Sequence, residues 1–570
     1  MVLQNDNVCA ASAPMLPNGG TEKVLIISPS GNGVGKVLIR EDTVLTNLNG
    51  CTRCVKPEFT CGGIKEQWSV LCWGKKQSGK QYYTLLLLLS ATFVLSLIGT
   101  VFLCFTDTIN DAVLSNMVIR NNSLAYKFWK KPNVQPLMKV HLFNYTNWRQ
   151  VRDGYEKKLH VEDVGPYVYS QQLERVNVVF GKDQVSYQEK NIFRYLPEKS
   201  TGASYNEVHV PNLPLLGAVT KVKDMNFLMQ SSVQRILQWS NHPHAFVTLP
   251  VHRFLWGYDD DIITLVKPIL SLQGQLNFDN FGLLVTKNRT TTDRFTINTG
   301  ESDMNKMNIL EEFNGDKQLS FWGSAECNSI EASDGSIFPP SLVDRHTPLQ
   351  VFFPNLCRRV PFYYDRDVEI GDGIQLYRYR MKDDVFDTTK EQCYCDLDAG
   401  RCPPRGVVNV TACAMGAPAL ASLPHFLRGE ASLSAQISGL HPDALAHESY
   451  VDIHPTLGIS LHGKSCLQIN IQVKKTNMFT SLSYLEEDLI LPIAWIEMSV
   501  EELPESLRSL VYHGTYSTAA AQLGLTIFCI LTLLITGLCL LCMFLTRRKK
   551  PCATVKKVIV DIDAELKSAS

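Results

Sequence analysis

The residues of this chain best suited to chemistry are its 17 cysteines, and their positions divide them between two environments. Cys327, Cys357, Cys393, Cys395, Cys402, Cys413 and Cys466 lie between two long apolar runs, and all but the last fall between 327 and 413. In an oxidising compartment such a cluster forms disulfides. Six thiols permit 15 pairings, and spacing does not choose among them. Zinc held by Cys393 and Cys395 is the rival reading, but a C-x-C pair lacks the spacing that structural zinc sites favour, so no metal is expected. Cys466 is left over as an unpaired thiol. Cys72, Cys104, Cys539, Cys542 and Cys552 sit in or beside the apolar runs. Thiols in that position facing a reducing cytosol are candidates for S-palmitoylation, and Cys72, Cys542 and Cys552 are singled out for it. The alternative is an inert small apolar residue. Cys51, Cys54, Cys61 and Cys72 are too irregularly spaced for a convincing zinc site.

Other chemical patterns fall short. Ser30 to Val37 reads SGNGVGKV, but it lacks the first glycine of a phosphate loop and the hydroxyl that would follow Lys36 to hold magnesium. Asp259, Asp260 and Asp261 form an acidic run without the glycine and distal glutamate of a calcium loop. No G-x-S-x-G or H-E-x-x-H motif is present. The chain is therefore expected to have no catalytic residue, to need no cofactor and not to be an enzyme. His242 and His244 remain. Histidine titrates between about pH 5 and 8, so this pair either senses endosomal acid or is plain solvated surface.

What positions these residues is a membrane. Tyr83 to Phe105 and Leu523 to Leu545 are uncharged runs of 23 residues each. A hydrocarbon core of about 30 Å needs roughly 20 helical residues, so each run is long enough to cross. The first lies too far from the start, and is too long, for a cleaved signal peptide, so it reads as a signal anchor. Lys75, Lys76 and Lys80 precede it, Asp107 and Asp111 follow it, and Arg547, Arg548, Lys549 and Lys550 follow the second run. Basic residues stay in the cytoplasm, so both tails are expected inside and 106–522 outside. Sequons at Asn121, Asn144, Asn288 and Asn409 all fall in that segment, as glycosylation requires. With 55 basic and 56 acidic residues the chain has no basic excess for nucleic acid.

The tail 1–82 is polar and aperiodic and reads as largely disordered. The external segment alternates apolar and polar residues, as in Val140 to Tyr145, Val176 to Phe180, Asn191 to Tyr195 and Leu467 to Val473. Gly165-Pro166 and Pro339-Pro340 punctuate these runs. Met225, Leu228, Met229, Val233, Ile236 and Leu237 instead recur at helical spacing, with Phe227 beside them, until Asn241-His-Pro ends the run. The expected fold is mainly β, antiparallel, with a helical insertion and two transmembrane helices. An exposed apolar patch on that insertion would dock lipid or protein.

Gly165-Pro-Tyr-Val-Tyr, Leu255-Trp-Gly-Tyr-Asp, Phe281-Gly-Leu-Leu, Ser336-Ile-Phe-Pro-Pro, Tyr377-Arg-Tyr, Leu423-Pro-His-Phe, Val451-Asp-Ile-His-Pro-Thr-Leu-Gly and Pro492-Ile-Ala-Trp occur in that order between the spans. In this ordered set the chain resembles the class B scavenger receptor family, over roughly residues 83 to 548. The resemblance implies a large β-barrel-like ectodomain with an apolar tunnel and a helical apex, here about 213–262. It implies a receptor that takes lipophilic ligands (lipoprotein lipids, carotenoids, sterols or fatty acids) at the apex and transfers them to the membrane. The candidate apical contacts are Phe227, Leu228, Gln238, His242 and His244. It implies the pairs Cys327–Cys393, Cys357–Cys413 and Cys395–Cys402. The expected partners are lipids or lipoprotein particles and the membrane, with a protein ligand at the apex and a homo-oligomer as further options. Trp239 to Phe246 lacks the lysines with which fatty-acid-binding relatives attract anions, which favours a neutral cargo such as a carotenoid or sterol. The tails lack an acidic dileucine signal, which favours the plasma membrane over the endosome or lysosome. A pH-dependent trafficking receptor is the alternative, and a two-span ligand-gated channel a remote one, since 523–545 offers only threonines and glycines to line a pore.

Overall fold

A computed structural model describes residues 79–240, 242–264, 280–395, 402–414 and 416–548. The chain divides into two units, 1–83 and 84–570, and only the last residues of the first are described. The readings placed on the N-terminal tail, including Cys51, Cys54, Cys61 and Cys72, and on Cys552 lie outside the described residues.

The alternating runs become strands because alternate side chains of a strand face opposite sides of the sheet. β1 (Leu137–Tyr145), β2 (Leu159–Phe180) and β3 (Gln184–Tyr195) come first, followed by β4 (Glu207–Pro211) and β5 (Phe246–Pro250). β6 (Arg289–Asn298), β7 (Leu310–Phe313), β8 (Leu349–Phe353), β9 (Arg358–Ile370) and β10 (Ile374–Met381) follow. β11 (Val407–Asn409), β12 (Ala419–Ser422), β13 (Ile437–Ser438), β14 (Tyr450–Ile453), β15 (Ser460–Gln472) and β16 (Ile490–Val500) complete the set.

One large sheet runs β7-β6-β3-β2-β1-β16-β15-β14-β10-β9-β8 through antiparallel neighbours, while β4 and β5 form a separate hairpin. The sheet nearly closes on itself. The backbone N–H of Leu310 at the β7 edge donates to Ala332 O at 2.9 Å. Next to Ala332, Ser333 exchanges hydrogen bonds with β8, Ser333 N to Gln350 O at 3.0 Å and Phe352 N to Ser333 O at 2.8 Å. The 332–333 segment thus joins the two edge strands, and Phe313 packs on Phe352 with ring centroids 5.2 Å apart. Closure of this kind removes exposed edges that would otherwise pair with other chains. Val140, Leu142, Phe143 and Tyr145 of β1 are fully buried, on both faces of the strand.

Gly165-Pro166 does not end a strand, contrary to its reading as punctuation. It lies within the long β2, where the register against β1 shifts between Val140 and Leu142. A side chain on Gly165 would place its Cβ 2.7 Å from Val140 O, and its φ of +142° suits glycine alone.

Two described helices are long and apolar enough to cross a membrane, Gly79–Phe105 and Glu505–Thr546, with mean hydropathies of 2.4 and 2.8. Within 84–570 they touch. Ser96 Oγ donates to Thr532 Oγ1 at 3.0 Å, Gln522 Nε2 to Leu103 O at 3.3 Å, and Gly537 leaves room for Phe93. Below the barrel, Val113 of helix Thr108–Ser115 and Leu507 and Val511 of helix Glu505–Tyr512 pack on Ile374, Leu376, Leu457 and Leu461. Burying this seam, at about 25 cal/mol per Å², ties the barrel to both chain ends.

Candidate functional site

The apex is built from helix Leu213–Val222, helix Phe227–Trp239, the β4–β5 hairpin and helix Val251–Trp256. Leu215, Leu216, Val219 and Val222 anchor the first helix in the core, because they recur on one face. The second helix follows the predicted stripe in part. Leu237 is buried and Val233 packs against the core, while Gln230 Nε2 reaches back to Lys223 O and Met225 O. Gln234 Nε2 donates to Met478 O at 2.8 Å, fastening the helix to the loop before β16.

The start of this helix stands clear of the core. Phe227 is 75% exposed, Leu228 72% and Met225 44%. Three large apolar side chains in four positions therefore stand in solvent at one tip. Gln238 is exposed on the same helix. It lies eleven residues on, about 16 Å along the axis at 1.5 Å per residue, so it does not share their patch.

The two histidines are not brought together as a pair. The carboxamide of Asn212, fully buried, holds the segment that carries both. Its Nδ2 donates to His242 O at 2.8 Å and His244 O at 3.0 Å, and its Oδ1 accepts from Leu215 N as a helix cap. His242 is half-buried and turns its ring towards Tyr258, 6.5 Å away and edge-on. Buried Asp260 stands beside it. Burial pushes the Asp260 carboxyl up, against the Ile263 and Ile262 N–H groups and the charge of His242. Asp260 Oδ1 caps the turn that begins at Asp261, accepting from Ile262 N at 2.9 Å, which gives the acidic run a structural role. His244 faces the other way, towards Trp148 at 5.9 Å. Partial burial and the guanidiniums of Arg152 and Arg149 push its pKa down. Sequence reasoning missed Asn212 and Asp260. Asn212 directly before Leu213-Pro214 is a helix-start signature that would have found it.

Lys223 beside the patch is paired with Glu487 at 2.9 Å. A cavity of about 560 Å³ lies elsewhere, lined by Val385, Phe386, Leu423 and Leu427 with Lys382 and Arg405, and takes no lining from the apex.

Disulfides join Cys327 to Cys393, Cys357 to Cys413 and Cys395 to Cys402. Around them, Trp322 Nε1 donates to Cys357 O at 2.7 Å, and the Arg358 guanidinium stacks 3.8 Å from the Tyr394 ring. Cys466 is a buried thiol outside these pairs, and burial pushes its pKa up to about 12. Cys542 is half-buried in the last helix. Of the sequon asparagines, Asn121 is exposed, and Asn288 and Asn409 are half-buried. Asn409 Oδ1 accepts from Thr411 N at 2.9 Å. Asn144 is embedded in β1, and its Oδ1 accepts from His209 N of β4 at 2.9 Å, so it also joins barrel to apex. Among the described residues no cluster of His, Cys, Asp or Glu is arranged to hold a metal.

Comparison with known proteins places this architecture. Residues 88–546 match the CD36 family. The chain is 30% identical over 437 residues to lysosome membrane protein 2 of Mus musculus, covering 75% of this chain and 88% of that protein. The Homo sapiens lysosome membrane protein 2 gives the same identity and coverage. Scavenger receptor class B member 1 of Rattus norvegicus is 30% identical over 402 residues, 69% of this chain and 75% of that protein.

Proposed function

The chain belongs to the CD36 family, and on that premise we propose that it is a double-pass receptor, not an enzyme, that captures lipophilic cargo at its apex and passes it through the barrel to the bilayer. The observation that carries this reading is the exposure of Met225, Phe227 and Leu228 at one tip. Large apolar side chains held in water are favourable only if something covers them, each recovering about 1.5–3 kcal/mol on full burial. A continuous apolar path to the membrane would then spare the cargo about 0.8 kcal/mol per exposed CH₂. With Lys223 engaged by Glu487 and no lysine in 239–246, neutral cargo such as a carotenoid, sterol or lipid ester fits better than a free anion. Both tails are proposed to lie in the cytoplasm, with the receptor at the plasma membrane and the sequon side outside.

The test is uptake by cells displaying equal surface amounts of the receptor and of a Phe227→Asp/Leu228→Asp variant. Cells with the unaltered receptor should gain uptake from a panel of labelled carotenoid, sterol and lipid esters, and the variant should lose most of it. No gain across the whole panel sinks the proposal. A second reading, a trafficking receptor for a protein ligand, is favoured by His242 lying against Asp260 and Tyr258 and by similarity to a lysosome membrane protein. Retention of a protein ligand at pH 7 with release at pH 5, lost in His242→Gln, would favour that reading.

A further inference from the structure

A second group of histidines lies in the barrel wall, apart from the apex. Asp163 of β2 accepts from three elements at once. Its Oδ1 meets His141 Nδ1 of β1 at 2.9 Å, and its Oδ2 meets His425 Nε2 at 2.9 Å and Trp495 Nε1 of β16 at 2.8 Å. Burial pushes this carboxyl up, but hydrogen bonds from His141 and His425 outweigh it and hold it below its ordinary range.

His425 sits in a turn at φ +53°, and its Nδ1 accepts the backbone N–H of His441 at 3.1 Å. His447 stacks on His425 with centroids 4.9 Å apart, and its Nδ1 accepts the backbone N–H of Asp443 at 3.1 Å. A backbone N–H has only a proton to offer, so each Nδ1 must carry its lone pair there. Two imidazoles thus fasten a single loop. Beneath that loop lies Cys466, fully buried, its N–H donating to Ser449 Oγ at 2.9 Å and its Sγ against Ala446 O. Lys464 Nζ reaches Leu445 O at 3.1 Å and Ala446 O at 2.9 Å from β15.

We propose that His441–His447 is an acid-released latch: a proton on His447 Nδ1 replaces the lone pair that receives Asp443 N–H, and the loop lifts from Trp495 and uncovers Cys466. The groups facing His447 are His425 on its own turn, Asp443 in the loop, Asp163 on β2 and His141 on β1. Lys464, Lys139, Glu448 and Glu497 flank the Cys466 side. Burial first, and then the charge that His425 carries when protonated, push His447 down to about 4, against the pull of Asp443 and Asp163. A histidine depressed when closed and ordinary when open keeps the latch fully shut above about pH 6.5. The latch weakens as pH falls towards 4. With 6.5 for the open state and about 4 for the closed one, the open population rises roughly twentyfold between pH 7 and pH 5.

The probe is 4,4′-dithiodipyridine, which labels thiols at acid pH, applied to the full-length protein in detergent. Labelling of Cys466 is read by peptide mass and normalised to a free peptide thiol at each pH. The normalised rate should rise roughly twentyfold from pH 7 to pH 5. In His447→Asn, whose amide oxygen can accept the same N–H without titrating, it should rise far less. Equal normalised rates at both pH values in the unaltered protein overturn the latch, as does the same rise in the variant. Should that variant not fold, hydrogen exchange of the 441–447 amides in the unaltered protein decides: protection lost on acidification supports the latch, and unchanged protection overturns it.

Discussion

Asn212 shows how much one buried amide can organise. Its oxygen caps helix Leu213–Val222, and its nitrogen holds the carbonyls of His242 and His244, so one side chain sets where both histidines sit. Asn212→Ala removes a cap worth about 1 kcal/mol and leaves buried carbonyls without a donor at about 1–3 kcal/mol. The expected loss is about 2–4 kcal/mol, measured as a lowered denaturation midpoint. Asn212→Asp should lose at least as much, because it keeps the cap but sets a buried carboxylate oxygen against the His242 and His244 carbonyls. The adjacent motif Leu213-Pro214 made a helix start legible, but sequence did not say that His242 and His244 would depend on it, because their shared partner lies about 30 positions earlier.

Among elements, the two apolar helices behave as a packed hairpin and not as independent anchors. In lipid, helices associate through small residues and side-chain hydrogen bonds. Here Gly99 faces Cys529, Gly537 faces Phe93 and Ser96 bonds Thr532. A Cβ on Gly99 would lie 3.2 Å from Cys529 Sγ. Gly99→Cys should therefore crosslink to the native Cys529 under mild oxidation, seen as one linked peptide by mass. Leu97→Cys, on another face of the same helix, should not. A crosslink that is equally efficient from both positions would refute the hairpin. The length and apolarity of each run were plain in the sequence. Which faces meet was not, because uncharged runs of leucine carry no periodic signal.

For the whole molecule, the disulfides tie together the chain on either side of the barrel's closing segment. Cys357–Cys413 closes 56 residues of sequence, a restraint worth about 4 kcal/mol in the chain-entropy account. Cys357→Ala/Cys413→Ala should lower unfolding stability by about that amount and reduce the fraction reaching the cell surface. A change below about 1 kcal/mol would mean that packing around Trp322 and Tyr394 carries the region without the bond.

The sequence by itself determined the two spans, the antiparallel β character, the sequons and the thiol-rich zone, because each follows from local composition, period or spacing. The ordered motifs pointed to the family. Tertiary structure decided the rest. It closed the sheet through 332–333 and separated His242 from His244. It also left Phe227 and Leu228 in solvent while burying Leu237 of the same helix. The physical reason is one of range. Period and propensity report on neighbours a few residues away, whereas exposure and hydrogen-bond partners depend on what else the fold brings to the same place. Asp163, His425, His447 and Trp495 span more than 300 positions and carry no common signal until β2, β16 and two loops set them side by side.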